Sequence, residues 1–146
     1  MREERVDRLK FLLVDDNDGF RARVKEFLTT RFDTALVEEA SNGRQAVSKA
    51  RAFRPAIVLM DIKMTGESGL DTTRRLKAAL PDTQVIVVSR FDLHEYRQAA
   101  QACGACGYVV KRKLVEELCP AISDALSGEG CTRANARDVT RATGKG

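Results

Sequence analysis

The sequence predicts an α/β fold built on a five-stranded parallel sheet, and three observations predict it. Short apolar runs of strand length recur five times along the chain. Each is followed by a longer stretch whose apolar residues recur at helical spacing. Strands that alternate with helices in this way lie parallel, with helices on both faces of the sheet, and right-handed crossovers leave few topologies open.

The first strand is expected over 9–14, and it runs straight into Asp15 and Asp16. A helix follows over about 18–30, with Phe20, Val24, Phe27 and Leu28 on one face. The second strand, 34–39, carries more polar residues and is expected nearer an edge. Ser41-Asn42-Gly43 is a helix-start signal, and the helix it opens runs to about Phe53 before Pro55 breaks it. The third strand, 56–60, is wholly apolar, and a loop over 61–69 carries Gly66 and Gly69. The third helix uses Leu70, Leu76 and Leu80 and stops at Pro81. A strand at 84–88, a helix at 93–103 and a short strand at 108–110 come next. The last helix, 113–126, places Leu114, Leu118, Ile122, Ala125 and Leu126 on one face. Five strands fit the flavodoxin-like order 2-1-3-4-5, a (βα)5 three-layer sandwich. Residues 1–8 read as a charged lead, 9–128 as the folded domain and 129–146 as a basic, flexible tail with almost no apolar residues.

Bulk properties narrow the function. A chain of 146 residues fits one domain, and 43% hydrophobic with 32% charged residues is an ordinary folded composition rather than a disordered one. No apolar run approaches the ~20 residues that span a bilayer, and the first ten residues lack the apolar core of a signal peptide. A cytoplasmic location without membrane contact is therefore expected. The net charge of +4 owes much to the tail, where Arg133, Arg137, Arg141 and Lys145 face only Asp138. That is no basic patch on a folded face, and aromatic residues for base stacking are scarce. No helix-turn-helix pattern follows Gly130, so specific DNA binding by this chain alone is not expected. Cys103 and Cys106 form a C-x-x-C, but a second such pair is missing and His94 is the only histidine. A small residue fits the turn at Cys106 equally well, so neither zinc nor a catalytic cysteine is expected.

In an open α/β sheet, sites form beyond the carboxyl ends of the strands, at the switch point, which here falls between strands one and three. The residues that follow the strands are Asp15 and Asp16, then Asp61, Ser89 and Lys111. Converging carboxylates repel unless a cation neutralises them, and Mg²⁺ suits an all-oxygen donor set. Beside Mg²⁺ and a positive side chain, an aspartate can accept a phosphoryl group covalently. A Gly-rich nucleotide loop is missing from the sequence, so the phosphoryl group is expected from a partner rather than from bound ATP.

The runs F-L-L-V-D-D, V-L-M-D-I-K-M-T-G-E-S-G-L, V-I-V-V-S and G-Y-V-V-K, in this order, resemble the receiver domain of two-component response regulators over about 9–128. G-A-C-G-Y-V-V-K-R and the helix after it are similar to the subfamily that normally carries a LuxR-type helix-turn-helix. The resemblance implies a non-enzymatic phosphorelay switch, phosphorylated on Asp61 by a sensor histidine kinase or phosphotransfer protein. Mg²⁺ would be bound by Asp16, Asp61 and the backbone carbonyl of Lys63, with Asp15 acting through a metal-bound water. Ser89 would be the switch hydroxyl, Lys111 the phosphate partner and Tyr108 the aromatic that reports the switch. The output would be a downstream protein or a self-dimer, bound through the fourth helix, fifth strand and last helix.

Three positions depart from the family pattern. Thr65 and Arg112 stand where Pro is usual, although the LuxR-type subfamily often lacks the second, and Arg90 stands where a small residue is usual. Thr65 is expected to leave the loop less rigid. Arg90 and Lys63 become candidates for tuning the lifetime of the phosphorylated state. Two alternatives share parts of the pattern. A haloacid-dehalogenase-type phosphatase would use Asp16-x-Asp18, but it needs a further acidic pair after Lys111, and no G-D-x-x-x-D follows. A receiver-like binding module without phosphorylation would retain the fold alone.

Overall fold

A computed structural model describes residues 9–127, which form alternating strands and helices. In chain order these are β1 (Lys10–Val14), α1 (Asp18–Arg31), β2 (Leu36–Ala40), α2 (Gly43–Phe53) and β3 (Ile57–Met60). They continue as α3 (Gly69–Ala79), β4 (Gln84–Ser89), α4 (His94–Ala102), β5 (Gly107–Val110) and α5 (Leu114–Leu126), the last entered through a 3₁₀ turn, Lys111–Lys113. The expected lead 1–8 and tail 129–146 lie outside the described residues.

Local chemistry sets the helix starts. Asn17 caps α1 by accepting from the Phe20 N–H, and Asn42 caps α2 by accepting from the Gln45 N–H. Gln45 reaches back past the cap, its side-chain oxygen accepting from the Ser41 N–H at 2.9 Å. Ser68 accepts from the Leu70 N–H at the start of α3. Pro120 sits inside α5. Its ring removes the donor for the Glu116 carbonyl, and both residues face solvent, where water can replace the bond.

The five strands form one parallel sheet in the order β2-β1-β3-β4-β5, as the alternation predicts. The period of two along each strand divides the core. Leu12, Val14, Val58, Met60, Val85 and Val87 point to one face, which Ala46, Ala50, Leu76 and Ala100 of α2, α3 and α4 cover. Phe11, Leu13, Ile57, Leu59, Ile86 and Val88 point to the other, which Val24, Leu28, Leu118, Ile122 and Ala125 of α1 and α5 cover. The second strand is at an edge, as its polarity predicts, but starts two residues later than expected, because Ala35 still bonds back to the Phe32 carbonyl. Leu126 departs from expectation. It is 47% exposed, since α5 ends there and the apolar stripe has already passed off the sheet at Ala125.

One backbone approach fixes the loop after β3. The Gly69 N–H donates to the Ile62 carbonyl at 2.8 Å. A Cβ built on Gly69 would lie 1.9 Å from the Asp61 carbonyl oxygen. Gly69→Ala is therefore expected to lower the unfolding free energy by about 3 kcal/mol. Gly66, with φ of 90° and nothing within 4 Å of its added Cβ, should cost only about 1 kcal/mol on replacement by Ala. Urea midpoints of the two variants test the difference, and equal midpoints would mean that the loop yields.

Candidate functional site

The strand register brings the acids together. Val14 pairs with Met60, and the ladder runs one residue further, with the Asp61 N–H donating to the Val14 carbonyl at 2.9 Å. The Asp15 N–H donates to the Ala40 carbonyl at 3.1 Å. Asp15 and Asp61 thus leave adjacent central strands side by side, with Asp16 one residue beyond. At the same end of the sheet Ser89 pairs with Val110, and Lys111 follows.

One carboxylate oxygen from each of Asp15, Asp16 and Asp61 lies within 4.8 Å of the other two. Asp15 and Asp61 are 4% and 7% exposed, whereas Asp16 faces solvent. The Lys111 ammonium donates to Asp15 Oδ2 at 2.8 Å and lies 3.5 Å from Asp61 Oδ1. Its position is braced by the Phe20 ring, whose centroid is 4.3 Å from Nζ. The second Asp15 oxygen accepts from the Asn17 N–H at 2.8 Å. Burial, with Asp15 and Asp16 adding to it, pushes the Asp61 carboxyl up to about 6, and Lys111 only partly offsets this. Three carboxylates against one ammonium leave negative charge in excess, and the donors are all hard oxygens, a set that fits a divalent cation such as Mg²⁺.

The remaining expected residues surround this cluster. Ser89 is buried, and its hydroxyl oxygen accepts from the Phe91 N–H at 3.0 Å. The Tyr108 hydroxyl donates to the Phe91 carbonyl at 2.6 Å, and burial raises its pKa. The Lys63 ammonium lies 5.4 Å from the Phe91 ring centroid, and that ring packs on Tyr96 at 5.3 Å. Arg90 is exposed and lines an open cavity of about 340 Å³ with Asn17, Phe20, Arg23, Lys111 and Arg112.

Other candidates are not brought into the cluster. Asp18 faces solvent and pairs with Arg21, so Asp16-x-Asp18 does not present two acids to one pocket. His94 is exposed at the start of α4. Cys103 is buried with its sulfur 3.2 Å from an Arg74 nitrogen on α3, while Cys106 packs on the opposite face with the α1–α5 core. Cys119 is half-buried, and Cys131 lies outside the described residues.

Sequence reasoning missed three participants. Arg21 donates to the Asp15 carbonyl, to Asp18 and, at 2.9 Å, to Glu39 on the edge strand. The guanidinium holds the Glu39 carboxyl below its usual range. The i,i+3 spacing to Asp18 was a readable signal, but the Glu39 partner needed the fold. Phe91 is the second. Thr65 is the third, with its N–H and hydroxyl donating to Asp16 Oδ2 at 3.1 and 3.2 Å.

A five-stranded sheet of this order, with acids and a lysine gathered at its carboxyl end, defines a receiver-type signalling module. The chain belongs to the response regulator receiver domain family, whose model matches residues 11–123. It is similar to the uncharacterized transcriptional regulatory protein YxjL of Bacillus subtilis, 32% identical over 87% of this chain and 58% of YxjL. It is also similar to the response regulator GacA of Pseudomonas aeruginosa, 34% identical over 83% of this chain and 56% of GacA. The chain thus spans little more than half the length of these relatives. A solved LuxR-family two-component response regulator from Aurantimonas sp. SI85-9A1 superposes with a TM-score of 0.77 at 28% identity, over 82% of this chain and 85% of that one. A response regulator from Burkholderia pseudomallei, solved with a phosphorylated aspartic acid, a calcium ion and citrate, superposes with a TM-score of 0.73 at 25% identity. The alignment covers 91% of this chain and 74% of the Burkholderia chain.

The raised Asp61 pKa has a consequence for the metal-free protein. A carboxyl whose folded pKa of about 6 exceeds its ordinary 3.8 stabilises the fold in full below the lower value. That contribution is lost as pH rises through the higher one. Asp61→Asn carries no charge and is expected to exceed wild type in stability by about 1–2 kcal/mol at pH 7.5. The gap should close toward pH 4. Urea unfolding in a chelator at several pH values checks this, and a pH-independent gap would remove charge repulsion as its cause.

Proposed function

We propose that the chain is a phosphorylation switch in which Asp61 accepts a phosphoryl group from the phosphohistidine of a sensor histidine kinase or phosphotransfer protein. The observation that carries this reading is the Lys111 ammonium held between buried Asp15 and Asp61. An Asp61 oxygen attacks phosphorus in line and the P–N bond breaks; its electron pair stays on the ring nitrogen of a phosphohistidine already protonated at its other nitrogen, so neutral imidazole leaves. Lys111 moves its charge toward the arriving phosphoryl oxygens. Asp15, Asp16, Asp61 and the Lys63 carbonyl are the residues proposed to hold Mg²⁺, which would neutralise charge on both the acids and the phosphoryl group.

Ser89 then exchanges its bond with the Phe91 N–H for one to a phosphoryl oxygen, donating its proton. That change is one residue from Arg90 and two from Phe91, whose carbonyl holds Tyr108. Its effect passes to the face formed by α4, β5 and α5, where Leu93 is about half exposed. A phosphoryl group needs only to favour one of two pre-existing arrangements of this face. The downstream partner on this reading is another protein or a second copy. Specific DNA contact is not assigned to this chain, whose described helices all pack on the sheet. Membrane contact is not assigned either, since no described helix is long and apolar enough to cross a bilayer. On this reading the reaction is cytoplasmic, on the same side as the kinase's phosphohistidine.

Two outcomes test the reading. Incubation with a small acyl phosphate and Mg²⁺ is expected to give a hydroxylamine-labile phosphoprotein, and Asp61→Asn should abolish it. Full labelling of that variant would reassign the acceptor. Arg90→Ala is expected to change the rate of phosphoryl gain or loss severalfold, because the guanidinium lines the same opening as Lys111. Unchanged rates in both directions would remove Arg90 from the mechanism.

A further inference from the structure

The three acids are not positioned alike. Asp15 is buried, accepts from the Asn17 N–H and pairs with Lys111. Asp61 is buried, anchored through its N–H on β1, and faced by the same ammonium. Asp16 is exposed, and among the described residues its side chain accepts two hydrogen bonds, both from Thr65 and both to Oδ2. An exposed aspartate on a loop samples several rotamers. A metal ligand that must first be gathered from those rotamers costs affinity.

We propose that Thr65 is a positioning residue for the metal site, holding the Asp16 carboxylate in the geometry that binds the cation. The inference rests on the reading of Asp15, Asp16 and Asp61 as that site. The main-chain N–H and the hydroxyl of one residue grip a single oxygen, which fixes both the place and the tilt of the carboxylate. Among the described residues no hydrogen bond goes to Oδ1, whose lone pairs are available to a metal. The tie spans 49 residues and so also pins the loop after Asp61 against the loop after β1. Proline, usual here among receivers, has neither donor. This chain therefore replaces a stiff ring with a hydrogen-bonded clasp on the ligand itself.

The test is Mg²⁺ titration of the full chain by calorimetry, with the urea midpoint of each metal-free protein measured beside it. Thr65 is exposed, so its variants keep the core intact. Thr65→Ser retains both donors and should bind within about twofold of wild type. Thr65→Val keeps the shape and the N–H but loses the hydroxyl, and should bind about five- to tenfold more weakly, at the lower end for an outer ligand partner. The metal-free urea midpoints should be alike, which a merely structural role for Thr65 would not give. In the Asp16→Ala background, which leaves the clasp no oxygen to hold, the Thr65→Val effect should shrink to nothing. Wild-type affinity in Thr65→Val, tighter binding, or a loss that persists without Asp16 would overturn the proposal. Absence of Mg²⁺ binding by the wild type would instead overturn the metal site itself, and the proposal with it.

Discussion

The site depends on a charge imbalance at the carboxyl end of the sheet. Asp15 and Asp61 are forced together because β1 and β3 lie side by side in the sheet with Val14 opposite Met60. Burial, with the charges of Asp15 and Asp16 adding to it, raises the cost of ionising Asp61, which appears as its upward shift. Lys111 answers both, but one ammonium cannot balance three carboxylates. The remaining negative charge makes the pocket a fit for a cation. In the proposed reaction that cation would also hold Asp61 as the carboxylate, the form that attacks phosphorus.

The scaffold tolerates this tension because the packing beneath it leaves little freedom. Every strand contributes apolar side chains to a helical layer, and the central strands β1, β3 and β4 are buried on both faces. Along β1 and β3 acidic residues begin only where the strand ends. No buried side-chain nitrogen or oxygen among the described residues lacks a partner, so the polar part of the fold is fully committed around the pocket. Arg21 adds a strut from α1 to both the Asp15 carbonyl and Glu39 of the edge strand. The loop that carries Asp15 and Asp16 is thereby tied to neighbours on either side.

Most of this was legible in the residues because hydrophobic period and strand-end position are local signals. The wholly apolar β3 and the polar β2 announced their central and edge places, and Asp15, Asp61, Ser89 and Lys111 were readable as residues that follow strands. What was not legible is what two distant loops do to each other. Thr65 read as a missing proline, since nothing in its neighbourhood announces Asp16 as its partner. Glu39 read as an ordinary edge-strand acid until Arg21 was placed against it. Gly69 read as a loop glycine, whereas its lack of a side chain is what lets α3 begin against the Asp61 backbone. Leu126 read as core because the periodic pattern continues past the point where α5 leaves the sheet.

Cys103 and Cys106 mark opposite layers of the sandwich. One sulfur belongs to the layer of α2, α3 and α4, the other to the layer of α1 and α5. The sheet stands between them, so oxidation cannot staple the two together without unravelling the start of β5. Cys103 is buried and becomes accessible when its layer loosens, whereas Cys106 is half-buried in the native fold. The Cys103 thiol alone of the two thus serves as a clock for the opening of its layer.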